Sequence, residues 1–122
     1  MRVLVADDNI DVLNSLASLL ELSGHEVHRA EDGQVALEEA ERFHPEVAIL
    51  DINMPKLNGY DVAQGIRAEP WGRDATLIAH TAWDDDQDKR RAYEAGFDSH
   101  LAKPAEYSAF TRLIAARAKR CH

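Results

Sequence analysis

Three aspartates, a threonine and a lysine stand out by type and spacing. Asp7 and Asp8 follow Val-Leu-Val-Ala, Asp51 follows Val-Ala-Ile-Leu, Thr81 precedes Ala82, and Lys103 precedes Pro104. Each lies where a short apolar run gives way to a loop. Brought together, three carboxylates cannot all stay ionised unless a cation offsets their repulsion. Mg²⁺ suits such a set, being hard, oxygen-seeking and satisfied by one or two carboxylates plus waters and a phosphate oxygen. A carboxylate is also a nucleophile, and aspartyl phosphate is an established type of covalent intermediate. A phosphoryl group held there needs charge compensation on its remaining oxygens. Mg²⁺, the Lys103 ammonium and the Thr81 hydroxyl could supply it. Singly, each residue has an ordinary reading: Asp7-Asp8 as a solvated loop or helix cap, Asp51 as a strand terminator, Thr81 as a capping residue, Lys103 as a surface lysine. The chemical reading needs all of them on one rim.

The elements that must place them alternate along the chain. Arg2–Ala6 reads as a strand, and Ile10, Leu13, Ala17 and Leu20 then recur at helical spacing. Gly24 closes that helix as a left-handed cap. Glu26–Ala30 is a second strand. Asp32 N-caps a helix with Ala36, Leu37 and Ala40 on one side, stopped before Pro45. Glu46–Leu50 is a third strand, apolar on both faces, as expected for a parallel strand covered by helices. After a loop from Pro55 to Gly59, a third helix carries Val62, Ala63 and Ile66. Its Gly65 should cost ~1 kcal/mol relative to alanine. Ala75–Ala79 is a fourth strand, a weakly apolar helix runs from about Asp84 to Ala95 with Gly96 as its cap, and Ser99–Ala102 is a fifth strand. The last helix aligns Phe110, Leu113, Ile114 and Arg117, with Arg117, Lys119 and Arg120 near its end, where cations suit the helix dipole. Five βα units in strict alternation imply a parallel sheet with helices on both faces and right-handed crossovers. Such sheets bind ligands beyond the carboxyl ends of their strands. Strands one, three, four and five then deliver the aspartates, the hydroxyl and the ammonium to one edge.

The 122 residues fit one domain, taken as 1–122. A chain 45% hydrophobic and 30% charged is neither disordered nor a membrane protein, and no apolar run approaches the ~18 residues of a membrane span. The formal net charge of −8 argues against direct nucleic-acid binding. The start of the chain lacks a signal peptide's apolar core, and the single cysteine, Cys121, cannot form an internal disulfide; both point to the cytoplasm. Cys121 reads as a solvated tail residue. The six histidines, His25, His28, His44, His80, His100 and His122, show no metal-ligand spacing and read as surface or packing residues. Asp84-Asp85-Asp86 reads as the cap of the fourth helix, and Trp71, between Pro70 and Gly72, as a loop anchor or contact surface.

The chain resembles the receiver domain of two-component response regulators along essentially its whole length. The residues that carry the likeness are Val-Leu-Val-Ala-Asp7-Asp8-Asn9, Asp32-Gly33 with Ala36-Leu37, Leu50-Asp51-Ile-Asn53-Met54-Pro55 with Gly59, Thr81-Ala82, and Gly96-Phe97-Asp98 leading to Lys103-Pro104. Their order and spacing are specific together and weak apart. The resemblance implies a doubly wound (βα)5 flavodoxin-like α/β fold with strand order 2-1-3-4-5. It implies that Asp51 accepts a phosphoryl group from a histidine kinase or histidine phosphotransfer protein. Asp8, Asp51 and the Asn53 backbone carbonyl would bind Mg²⁺, with Asp7 acting through a metal-bound water. Thr81 and Lys103 would contact the phosphoryl oxygens. The switch would remodel the face of the fourth helix, fifth strand and fifth helix, where a downstream effector could bind.

Two positions depart from the family pattern. The switch aromatic, three residues before the lysine, is His100, which is smaller and titrates near neutral pH. The stretch from Gly96 to Pro104 looks like receivers attached to hybrid histidine kinases. Trp83, two residues after Thr81, flanks the approach of water and could shield the phosphoryl group, or could simply pack on the fourth helix. Three other readings compete with this one. A haloacid dehalogenase-like phosphohydrolase needs Asp-x-Asp on the first strand and a cap domain; here the acceptor is on the third strand. A flavin or nucleotide domain needs a Gly/Ser/Thr phosphate loop where this chain has Asp7-Asp8-Asn9. A degenerate interaction scaffold would not require the complete residue set.

Overall fold

The computed structural model describes residues 1–83 and 85–120, with the side chains of 119 and 120 left out. The readings of Asp84, Cys121 and His122, and of the Lys119 and Arg120 side chains, lie outside the described residues. The order is β1 (Arg2–Ala6), α1 (Ile10–Leu22), β2 (Glu26–Ala30), α2 (Gly33–Phe43), β3 (Val47–Leu50), α3 (Gly59–Ala68), β4 (Thr76–Thr81), α4 (Asp86–Ala95), β5 (Ser99–Ala102) and α5 (Tyr107–Arg120). All strands pair in parallel, in the order β2-β1-β3-β4-β5. The fold class and strand order stand as expected.

Strand alternation divides the interior into two cores. Leu4, Ala48, Leu50, Leu77 and Ala79 face one way and pack with Ala36 and Ala40 of α2, Ile66 of α3 and Ala92 of α4. Val3, Val5, Val47, Ile49 and Ile78 face the other way, against Leu13, Leu16 and Leu20 of α1 and Phe110 and Ile114 of α5. Val47–Leu50 is buried throughout, as a central strand covered on both faces must be. Burying each of its larger side chains contributes roughly 1.5–3 kcal/mol.

The helices begin where side-chain oxygens meet their first backbone N–H groups. Asn9 accepts from Asp11 and Val12, Asp32 from Val35, Asn58 from Asp61, and Asp85 from Asp88. So α1 is capped by Asn9 rather than by Asp7 or Asp8, and both aspartates are left to the rim. Of the acidic run before α4, Asp85 is the cap and the helix starts at Asp86. Gly96 closes α4 with a φ of 112°, while α1 is capped by Ser23 with Gly24 next at 94°.

The sequence expectations need several corrections. β3 starts at Val47; Glu46 instead accepts from the Arg2 backbone at 3.1 Å and pairs with its guanidinium. β4 runs to Thr81 rather than stopping at Ala79, because Thr81 pairs with Ala102 of β5. A 3₁₀ turn, Pro70–Gly72, precedes β4, and its Trp71 stacks on His44 with ring centroids 4.5 Å apart. Ile10 is 43% exposed, and Leu16 takes the inward place on α1. Arg117 is not a solvated dipole partner: it is buried, and Nη1 donates to the Asp74 carbonyl and to Thr76 Oγ1. Gly65 also has a packing reason, since a Cβ there would stand 2.9 Å from Leu37 Cδ1.

Candidate functional site

β1 and β3 lie side by side, so their carboxyl ends present Asp7, Asp8 and Asp51 together. One carboxylate oxygen from each lies within 4.8 Å of the others. Asp7 and Asp51 are buried and Asp8 is exposed. β4 lies next to β3, and β5 next to β4, which brings in Thr81 and Lys103.

The Lys103 ammonium bridges the two buried carboxylates, 2.7 Å from Asp7 Oδ2 and 2.9 Å from Asp51 Oδ2. Asp7 Oδ1 accepts the Asn9 backbone N–H at 2.9 Å, and Asp51 Oδ1 faces that of Asn53 at 3.4 Å. Both Asp7 oxygens are thus engaged. The Thr81 hydroxyl accepts the Trp83 backbone N–H at 3.2 Å, leaving its own O–H to donate elsewhere. Thr81 is buried and Trp83 is 40% exposed.

Electrostatics follow from this crowding. Burial pushes the Asp51 carboxyl up, Asp7 adds to that, and the Lys103 hydrogen bond pulls the other way without cancelling it. Burial alone would lower the Lys103 ammonium; its hydrogen bonds to Asp7 and Asp51 reverse this and hold it above its ordinary value. One ammonium among three carboxylates leaves the pocket negative. A hard divalent cation fits that donor set.

Two glycines let the loop after β3 close around the acceptor. A Cβ on Gly59 would lie 2.5 Å from the Asp51 carbonyl oxygen, and one on Gly33 would lie 1.7 Å from the Leu57 carbonyl oxygen. Gly59 donates to Ile52 and Gly33 to Pro55, which ties the starts of α3 and α2 to the loop. Lys56, at a positive φ of 70°, reaches Asp32 at 3.6 Å.

The site residues expected from sequence therefore converge: Asp7, Asp8, Asp51, Thr81 and Lys103 share one rim. Asn53 is on it and exposed. His100 lies deeper, paired in register with Ala79 on the α3–α4 side of the sheet. His80, read from sequence as a surface or packing residue, is a packing one. It is 6% exposed, its Nε2 has no hydrogen-bond partner, and it stands edge-on to Phe110 with ring centroids 5.0 Å apart. Burial, with the Lys103 charge, lowers its pKa to about 4, so its imidazole is neutral. The signal available was a histidine one residue from the end of an apolar strand.

Fold and pocket together define a phosphorylation-controlled switch rather than a conventional enzyme. The chain belongs to the response regulator receiver domain family, whose profile matches residues 3–115. The transcriptional regulatory protein PrrA of Mycobacterium tuberculosis is 44% identical over 103 residues, 84% of this chain and 43% of PrrA. The chain thus spans less than half the length of that curated relative. The receiver domain of Francisella response regulator 1452 superposes with a TM-score of 0.89 at 26% identity, covering 99% of this chain and 98% of that one. The receiver domain of sensor histidine kinase PA1611 from Pseudomonas aeruginosa, solved with a magnesium ion in its active-site cleft, gives 0.86 at 30% identity, with 94% of each chain covered. No helix among the described residues is long and apolar enough to cross a membrane.

Proposed function

We propose that this domain takes a phosphoryl group onto Asp51 from a phosphohistidine of a histidine kinase or histidine phosphotransfer protein. The observation that carries the reading is the Lys103 ammonium held 2.9 Å from the Asp51 carboxylate, beside Asp7 and Asp8. An Asp51 oxygen attacks phosphorus, the O–P bond forms, and the P–N bond breaks with its electron pair leaving on the imidazole nitrogen. Asp8, Asp51 and the Asn53 carbonyl would hold Mg²⁺, with Asp7 behind a water. When bound, the ion neutralises charge on the phosphoryl oxygens.

Lys103 then exchanges a carboxylate oxygen for a phosphoryl oxygen. Thr81 turns its free O–H toward another. Movement at Thr81 acts on the face of α4, β5 and α5, where an effector could bind. His100 replaces the family's aromatic at that face, so the inward swing is made by a smaller ring. Its flanking sequence supports a place among receivers attached to hybrid kinases. Water attack on phosphorus ends the signal slowly, releasing phosphate and restoring the carboxylate. Trp83 shields that approach.

Acetyl phosphate with Mg²⁺ tests the acceptor. The wild type takes up one phosphoryl group per chain, and Asp51→Asn takes up none. Undiminished labelling of Asp51→Asn would place the acceptor elsewhere.

A further inference from the structure

The pocket described so far opens on one side of the sheet edge; an unassigned group lies just beneath its other side. Residues alternate along β4, so His80 points opposite to Ala79 and Thr81, with Ile78, toward α1 and α5. A cavity of about 340 Å³ lies there, and His80, Lys103, Leu16, Tyr107 and Phe110 all line it. The stem of Lys103 and the ring of His80 are therefore two walls of one space. The lysine's ammonium lies in the phosphoryl pocket, and the histidine's ring lies edge-on to Phe110, 5.0 Å away at 89°.

His80 is an expensive choice for that place. A buried polar atom without a partner destabilises a fold, and an aliphatic side chain of similar volume would avoid the penalty. Its Nε2 has no partner. Such a cost is found most often where function holds the residue in place. Phe110, 1% exposed, is the largest fully buried side chain among the described residues and sits in the core shared by α1, α5 and the sheet. His80 and Phe110 line the same cavity and stand edge-on, so a shift of the imidazole meets the Phe110 ring directly.

We propose that His80 is a positioning residue that links the state of the Lys103 ammonium to the packing of α5 through Phe110. The link runs on the sheet face opposite the one that carries Ala79, Thr81 and His100. It rests on the phosphoacceptor reading, because the event it transmits is Lys103 leaving Asp7 and Asp51 for a phosphoryl oxygen. It gives this chain a second output route, toward the α1–α5 side. The hydrogen bonds from Tyr107 Oη to the Leu19 carbonyl at 3.2 Å and between Tyr107 Oη and Ser23 Oγ at 2.7 Å join the two helices there.

The test uses beryllium fluoride with Mg²⁺ as a phosphoryl mimic on the full chain, read by NMR at the Thr81 and Trp83 amides and at the Phe110 ring. In the wild type, both sets of signals shift on loading. In His80→Leu, the Thr81 and Trp83 shifts persist in full, while the Phe110 response falls at least fivefold. Phe110→Leu, with the signals of Leu16 and Ile114 read instead, shows the same uncoupling. His80→Leu unfolds at or above the wild-type temperature, so a loss of response is not a loss of fold. A Phe110 response of equal size in His80→Leu and the wild type overturns the link, as does a wild-type Phe110 that never moves while Thr81 does. If Thr81 and Trp83 themselves fail to shift in the wild type, the phosphoacceptor reading falls, and the link with it.

Discussion

Asp51 is held within 2.9 Å of a lysine and is nonetheless harder to ionise than a solvated aspartate, because burial outweighs the ion pair. The folded state therefore binds the Asp51 proton more tightly than the unfolded state does. Its contribution to stability is complete at low pH and is lost as pH rises through the raised folded value. Asp51→Asn removes a charge that is costly at neutral pH and keeps an oxygen for Lys103. Urea denaturation at pH 7.5 without Mg²⁺ should show the variant more stable than the wild type, and the gap should close as pH falls below the carboxylate range. At Trp83 the expectation concerns rate. Trp83→Ala should speed phosphate loss from phosphorylated protein several-fold, measured by the decay of label after donor removal; an unchanged rate would return Trp83 to simple surface packing. At this scale the sequence was informative about residue type and poor about pairing. Asp7, Asp8, Asp51, Thr81 and Lys103 were legible only as a set at the strand ends, since each alone has an ordinary reading. That Lys103 spends its charge on Asp7 and Asp51 was not, because pairing depends on side-chain paths rather than on spacing.

Elements were legible where backbone chemistry dictates their limits. Asp32 capped α2 as read, Gly96 closed α4, and the β-branched runs became strands. Limits set by a neighbour were not legible. β4 reaches Thr81 only because β5 is there to pair with it. Arg117 looked like a helix-end cation; its burial depends on the Asp74 carbonyl and the Thr76 hydroxyl, which come from a distant part of the chain. The same logic explains why α2 begins with Gly33. A methyl group there would overlap the Leu57 carbonyl oxygen, which belongs to the loop that follows the acceptor strand. Gly33→Ala should therefore push that loop away and cost about 2–4 kcal/mol, seen as a lower thermal midpoint, with slower labelling of Asp51 as a second consequence.

Seen whole, the molecule gathers a cluster of buried and rim carboxylates at one end of the sheet. Three carboxylates share a single ammonium, so a divalent ion that binds the folded site and not the unfolded chain should add stability by mass action. At a Mg²⁺ concentration a hundred times its Kd, that gain is about 2.7 kcal/mol, or roughly 8–12 °C in a chain of this size. Calorimetry should show the rise in the wild type and lose most of it in Asp8→Asn. Ca²⁺ should serve less well, since it prefers more ligands than this rim offers.

Two arginines, Arg67 half-buried and Arg117 buried, add an asymmetry to this picture. Arg67 holds the carbonyls of Gly72, Arg73, Ala75 and Gly96 and pairs with Asp98, whose carboxylate in turn takes the Leu77 N–H; Arg117 holds Asp74 and Thr76 from the opposite face. The fourth strand is thus bolted from both faces at its root, while its tip is held by β5 alone, so a pull on Thr81 of the kind proposed would be met by β5 rather than by either arginine.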